Sequence, residues 1–239
     1  GAAPMSLEKL KTAIELWGPI MAGGYGQTEA PASIANLPPS HHFINGQLGT
    51  DERLSSVGRP NPLIRVEMMD DNNQILPRGE TGEICVRGDL VMKGYYKQPE
   101  KTAETIIDGW LHTGDVGNID ADGYLHITDR KKDMIISGGF NVYPSEVEQV
   151  IWGHPAVQDC AVIGVPDEKW GEAVKAVVEL NAGQTVSAEE IIALCKEKLG
   201  SVMAPKTVDF IDTLPRSPVG KVLKKDLRKQ YWEQSERKI

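Results

Sequence analysis

Apolar positions fall at near-helical spacing from Ser6 to Trp17, where Leu7, Leu10, Ile14 and Trp17 predict an amphipathic helix with Ser6 at its cap. Glycine and proline dominate from Gly18 to Gly49, which predicts loop with short strands. From Val57 to Gly123 the pattern becomes LIRVEMM, DDNN, GEICVRG and a Gly-Tyr-Tyr loop. Short strands cut by turns in this way predict a small β-barrel or sandwich, and Lys101 to Ile107 fits one or two helical turns. After Arg130 the order is mixed. MIIS, DCAVIGV, AVKAVVEL and TVDFID read as strands, and KKDLRKQYWEQ as a final helix. Pro144-Ser145 opens a helix with Glu146 and Glu148 in its first turn, where the helix dipole favours acids. Ser187 opens another, with Glu190 at the capping-box position and Gly200 at its end.

Between these two patterns lies a charged knot, Asp129-Arg130-Lys131-Lys132-Asp133. A run of three cations flanked by carboxylates makes a poor core, so the knot predicts a joint. The expected organisation is α+β: a β-rich part over residues 1–130 and a small mixed α+β domain over 131–239. A chain of 239 residues has room for two such domains.

Charge and cysteine usage narrow the function. A net charge of −8 argues against general nucleic-acid binding. From Arg216 to Lys238, however, eight cations face three carboxylates, a local excess of five. A solvated helix face or an anion site both account for that. Cys85, Cys160 and Cys195 are widely spaced and odd in number, so neither a zinc site nor a disulfide framework is supported. Cys85 and Cys160 sit in apolar runs and read as core residues, and the set fits a reducing, cytoplasmic setting. No apolar run approaches the roughly 18 residues needed to span a bilayer.

Four segments could carry chemistry. In Gly23-Gly24-Tyr25-Gly26-Gln27-Thr28-Glu29, glycines allow close backbone approach to a ligand. Tyr25 offers a flat face, Thr28 a hydroxyl for phosphate and Glu29 a carboxylate for Mg²⁺. The alternative is a simple turn. In Thr113-Gly114-Asp115 the carboxylate could accept both hydroxyls of a ribose, or make only an Asx turn, with His112 as a neighbour. Arg130 and Lys132 could add donors to a phosphate or ribose, or be solvated charges. Pro215-Arg216-Ser217-Pro218-Val219-Gly220-Lys221 would present a lysine at the tip of a stiff loop, suited to a transferring phosphoryl group. A plain helix-entry loop is the alternative.

In this order the four segments resemble the adenine/phosphate, ribose, hinge and lysine motifs of the adenylate-forming enzymes, the family of acyl-CoA synthetases and peptide-synthetase adenylation domains. The resemblance covers about residues 1 to 229. It implies binding of ATP or AMP with Mg²⁺, a carboxylic-acid substrate activated as an acyl-adenylate, and coenzyme A as acceptor. By resemblance, Gly24, Tyr25, Gly26 and Gln27 line the nucleotide, Thr28 meets phosphate and Glu29 holds Mg²⁺. Asp115 holds the ribose with help from Arg130, and Lys221 bridges carboxylate and α-phosphate. The small domain then swings about Lys132, where other members carry aspartate, and brings the Gly138-Gly139 loop to the thiol.

The family's upstream Ser/Thr/Gly-rich phosphate loop has no counterpart before Gly24. The expectation is therefore a C-terminal part of an acyl-CoA synthetase, inactive alone and able to self-associate through its truncated face. A carrier-protein-loading adenylation enzyme and a non-catalytic nucleotide- or CoA-binding remnant are the alternatives.

Overall fold

The computed structural model describes residues 5–218 and 220–233. Val219 of the lysine motif, and Glu236, Arg237 and Lys238 of the basic tail, lie outside the described residues. Two compact units adjoin between Lys131 and Lys132.

The first unit begins with α1 (Leu7–Trp17), which buries Leu10 and Ile14 and leaves Trp17 exposed. Ser6 sits at its N-terminus, but its hydroxyl caps no backbone N–H. The glycine-rich region is more ordered than expected. Gly23–Gln27 (β1) and Ala30–Leu37 (β2) pair antiparallel, so the predicted glycine loop is mostly strand, turning at Thr28-Glu29. A small hairpin of Phe43–Ile44 (β3) and Gln47–Leu48 (β4) follows, then α2 (Asp51–Ser55), capped by Thr50. Arg59–Pro60 (β5) joins β2.

Arg65–Met69 (β6) and Gly82–Arg87 (β7) lie where the two apolar runs placed them. Pro99–Thr105 (α3) is the short helix and leads into Ile106–Ile107 (β8). Trp110–Ile119 (β9) and Leu125–Arg130 (β10) complete an antiparallel sheet ordered β10-β9-β7-β6, with β8 beside β9. Its apolar face, including Val66, Met68, Ile84, Val86, Leu111 and Leu125, packs with Ala30, Ile34 and Ala35 of β2. That burial seats the β1–β2 hairpin on the sheet.

In the second unit, Ile135–Ser137 (β11) and Phe140–Val142 (β12) form a tight hairpin. Its two turn residues, Gly138 and Gly139, have φ of +60° and +84°. Side chains avoid that conformation, and two-residue hairpins of right-handed twist require it. Pro144–Trp152 (α4) leads to the long pair Val157–Asp167 (β13) and Gly171–Leu180 (β14). Ala188–Met203 (α5) starts on the Ser187 hydroxyl, which accepts the Glu190 N–H, and is broken at Gly200 (φ +81°), where the sequence ended it. Thr207–Phe210 (β15) adds parallel to β14, and Lys224–Trp232 (α6) packs on β13. All three cysteines are free and buried, Cys160 and Cys195 in this unit's core and Cys85 in the first.

Glu148 departs from its expected role. It is buried, and its Oε1 accepts the Val162 N–H at 2.7 Å and pairs with Lys224 Nζ at 2.8 Å, tying α4, β13 and α6 together. The basic tail is likewise not simply solvated: Arg216 pairs with Asp159 and Glu179, and Arg228 with Asp133.

On β15, Asp209 accepts hydrogen bonds from Tyr231 (2.6 Å) and Lys175 (2.9 Å). Burial pushes its carboxyl up, but these two donors outweigh burial and hold it below the ordinary 3.8. A depressed folded value contributes stability above the unfolded value, and that contribution is lost as pH falls through the folded one. Asp209→Asn should therefore lower the unfolding free energy from urea titration slightly at pH 6, by less than about 1 kcal/mol, because Asp209 itself is nearly half exposed. The gap from the parent chain should close below pH 3.8. A gap unchanged down to pH 3 would contradict the assignment.

Among the described residues no helix is long and apolar enough to cross a membrane.

Candidate nucleotide-binding site and lysine turn

The hairpin β1–β2 and the β9–β10 ladder bring four of the predicted residues together. Tyr25 donates its hydroxyl to Asp115 Oδ2 at 2.6 Å. Gln27 Nε2 donates to the same oxygen at 2.8 Å and to the Thr113 carbonyl at 2.9 Å. Arg130 Nε lies 3.4 Å from Asp115 Oδ1, directly across the ladder. Burial and the Asp115 charge push the Tyr25 phenol far above its ordinary value, so it stays protonated and donates. Gly24 lies against the Ala35 carbonyl, where an added Cβ would come within 3.3 Å.

The Thr113-Gly114-Asp115 segment is a bulge. Glu83 of β7 pairs with Val116, and Cys85 with His112, so three residues of β9 stand opposite Ile84. Thr113 Oγ1 donates to the Ile84 carbonyl and accepts from the Asp115 N–H, which fixes the backbone of the turn. This is a built turn rather than an isolated Asx turn.

Behind it lies a buried group that sequence reading missed. Glu83 Oε1 accepts the Gly114 N–H at 3.1 Å, and Oε2 lies 3.3 Å from both His112 Nδ1 and Lys131 Nζ. Lys131 also pairs with Asp71 at 2.8 Å; Asp71 first, then Glu83, raises its pKa against the opposing effect of burial. Cys85 Sγ is 3.5 Å from His112 Nδ1. Burial first, and the Glu83 charge next, push this thiol up to about 12. The Glu83, Cys85 and His112 donor atoms lie within 4.8 Å of one another, but the Lys131 ammonium already supplies the cation there.

Glu29 follows β1. Its carboxylate accepts the Tyr95 hydroxyl at 2.7 Å, and its carbonyl accepts the Met92 N–H. Glu29 offers the hard oxygen donor that Mg²⁺ takes alongside phosphate oxygens, so the residue present fits that ion. Tyr95, from the Gly-Tyr-Tyr loop, is a second residue the sequence did not single out; no local pattern links it to Glu29, 66 positions away.

Lys221 lies in the second unit, in a turn closed by Ser217 N–H to Lys221 O (2.8 Å), by Lys221 N–H to Ser217 Oγ (3.2 Å) and by a bridge between Arg216 and Val222. Gly220 has φ +82°, and Arg216 anchors the turn on Asp159. Gly138 is also held firmly. Its N–H donates to the Trp170 carbonyl at 2.8 Å, and a Cβ there would meet the Trp170 ring at 2.5 Å.

Comparison with known proteins agrees with this α+β architecture. The AMP-binding enzyme family description matches residues 1–96, and the AMP-binding enzyme C-terminal domain matches residues 146–221. The chain belongs to the adenylate-forming, AMP-binding enzyme family. It is similar to the medium/long-chain fatty-acid–CoA ligase FadD8 of Mycobacterium tuberculosis, 46% identical over 246 residues, covering 100% of this chain and 42% of the relative. It is 40% identical over 239 residues to the fatty acid–[acyl-carrier-protein] ligase ScoC of Streptomyces coeruleorubidus, covering 100% of this chain and 45% of that protein. Among solved structures it resembles the amide bond synthetase McbA of Marinactinospora thermotolerans, with TM-score 0.89 and 42% identity, covering 97% of this chain and 45% of that one. The chain thus spans less than half the length of the relatives it matches.

Proposed function

We propose that this chain is the nucleotide-clasping and lysine-bearing portion of an ATP-dependent acid–thiol ligase. In the first half-reaction a carboxylate oxygen attacks the α-phosphorus of ATP and pyrophosphate leaves; in the second a thiol displaces AMP from the acyl-adenylate. The observation that carries the reading is the convergence of Tyr25, Gln27 and Arg130 on the Asp115 carboxylate. A carboxylate held this way can accept two ribose hydroxyls, with the phenol ring and the guanidinium placed beside the nucleoside. Thr28 lies at the neighbouring turn to meet phosphate. Mg²⁺, when bound, would neutralise phosphate charge, and Glu29, steadied by Tyr95, is the residue that would hold it.

Because the phosphoryl centre undergoes little covalent chemistry with protein groups, positioning and charge are what the enzyme must supply. Lys221 supplies a point charge to carboxylate and α-phosphate in the first half-reaction. Swinging of the second unit about Lys132 then withdraws it and brings the Gly138-Gly139 turn to the thiol. The rigid anchoring of both turns supports their delivery as preformed elements.

The acid is a medium- or long-chain fatty acid and the thiol coenzyme A in the reading favoured by similarity to the fatty-acid–CoA ligase. A carrier-protein thiol is the second reading, favoured by the carrier-protein ligase match across the whole chain. The test is the complete reading frame containing this chain, assayed with ATP, a panel of acids and either acceptor. Acid-dependent ATP–pyrophosphate exchange followed by acyl-CoA is the expected result. Acyl transfer only to carrier protein selects the second reading, and no exchange with any acid refutes both.

A further inference from the structure

We propose that Glu83 is a positioning residue that couples the hinge to the ribose turn through Lys131. The inference rests on the reading above, in which Asp115 holds a ribose. The bulge sets the Asp115 carboxylate against Tyr25, Gln27 and Arg130 and leaves Gly114 at φ +72° with its N–H donating to Glu83 Oε1. One carboxylate therefore faces the nucleotide side of the turn and another supports its back.

Two of the three consecutive cations of the charged knot divide between these carboxylates. Arg130 Nε reaches Asp115 Oδ1 at 3.4 Å, and Lys131 Nζ reaches Glu83 Oε2 at 3.3 Å. The Glu83 side chain is only 10% exposed, whereas Lys131 is 45% exposed. A carboxylate so buried depends on its compensating donors, and removing its cation weakens the whole arrangement. Drawing Lys131 away leaves Glu83 with the His112 and Gly114 N–H groups alone to offset its charge. The ribose turn behind Asp115 then loosens. With Lys131 seated, the chain is pinned up to that residue, and rotation begins at Lys132. Coupling of this kind is reciprocal: nucleotide that tightens the ribose turn also tightens the seat of Lys131.

The experiment uses the protein expressed from the complete reading frame, with KM for ATP and kcat measured by acid-dependent ATP–pyrophosphate exchange alongside the thermal midpoint. Lys131→Met should raise KM for ATP by about three- to tenfold, with kcat within about twofold and only a small fall in the midpoint. Lys131→Arg should restore KM. Glu83→Gln should raise KM similarly, and combining it with Lys131→Met should add little, as expected for two residues acting through one contact. Wild-type KM in both single variants, with a raised KM in Asp115→Ala, overturns the proposal and leaves the ribose reading standing. An unaffected Asp115→Ala overturns that reading and the proposal with it. A parallel fall of midpoint, kcat and affinity in Lys131→Met and Glu83→Gln also refutes the coupling, since simple structural support would produce it.

Discussion

On the function proposed above, replacing Lys221 by alanine is expected to slow acyl-adenylate formation by the complete protein by about two to three orders of magnitude, the usual cost of removing one preorganised charge from a transferring group. Thioester formation from a supplied acyl-adenylate should stay within a few-fold of the parent rate if, as proposed, the swing about Lys132 has withdrawn the lysine by then. The turn itself is closed by backbone groups, the Ser217 hydroxyl and the Arg216–Asp159 pair. None of these needs the lysine ammonium, so the variant should keep its turn. Lys221→Arg should rescue poorly, since a planar fork does not replace a compact point charge. Separate assays of the two half-reactions decide the matter, and equal loss of both would refute the division of labour assigned to this residue.

The second large effect concerns stability. Gly58→Ala should destabilise the first unit by about 3–5 kcal/mol, combining a severe clash with left-handed strain. Gly58 has φ +93°, and a Cβ there would lie 1.9 Å from the Asn36 carbonyl oxygen and 2.4 Å from the Leu37 nitrogen. Those atoms belong to the backbone of β2 and cannot rotate aside. Gly58 also donates its N–H to Ser56 Oγ and accepts the Leu125 N–H, so it is fixed from the other side as well. Gly79 provides a matched control: its φ is also +93°, but nothing lies within 4 Å of its Cβ position. Gly79→Ala should cost only the conformational part, about 1 kcal/mol. Calorimetry of both variants should show a fall of about 10 °C or more for Gly58→Ala and a few degrees for Gly79→Ala. Midpoints within about 2 °C of each other would show that β2 yields where the structure says it is held.

Much of the fold was legible because local pattern and tertiary need agree. The alternation in RVEMM and GEICVR matches two strands that pack one face on a core, and Ser187 with Gly200 brackets a helix by backbone chemistry alone. The β1 strand was not legible, because its glycines score as turn formers; its extended form comes from pairing with β2. The orientation of Glu148 was hidden for a related reason. A first-turn acid looks like a dipole partner until β13 and α6 provide an N–H and an ammonium for it. At the site, Asp115, Tyr25, Gln27 and Arg130 were nameable from ordered motifs. Glu83 was not, since its meaning depends on a bulge 31 residues away whose spare N–H it satisfies.

The Glu148 carboxylate has a consequence for how the second unit is made. It is supplied from α4, early in that unit, but the ammonium that offsets its buried charge comes from Lys224 on α6. Until the chain through α6 has emerged from the ribosome, the nascent β13–β14 layer would carry a buried anion lacking that cation, and closing around it would be unfavourable. Lys221 lies just before α6, so translation should deliver the charged tip immediately ahead of the element that locks its domain shut.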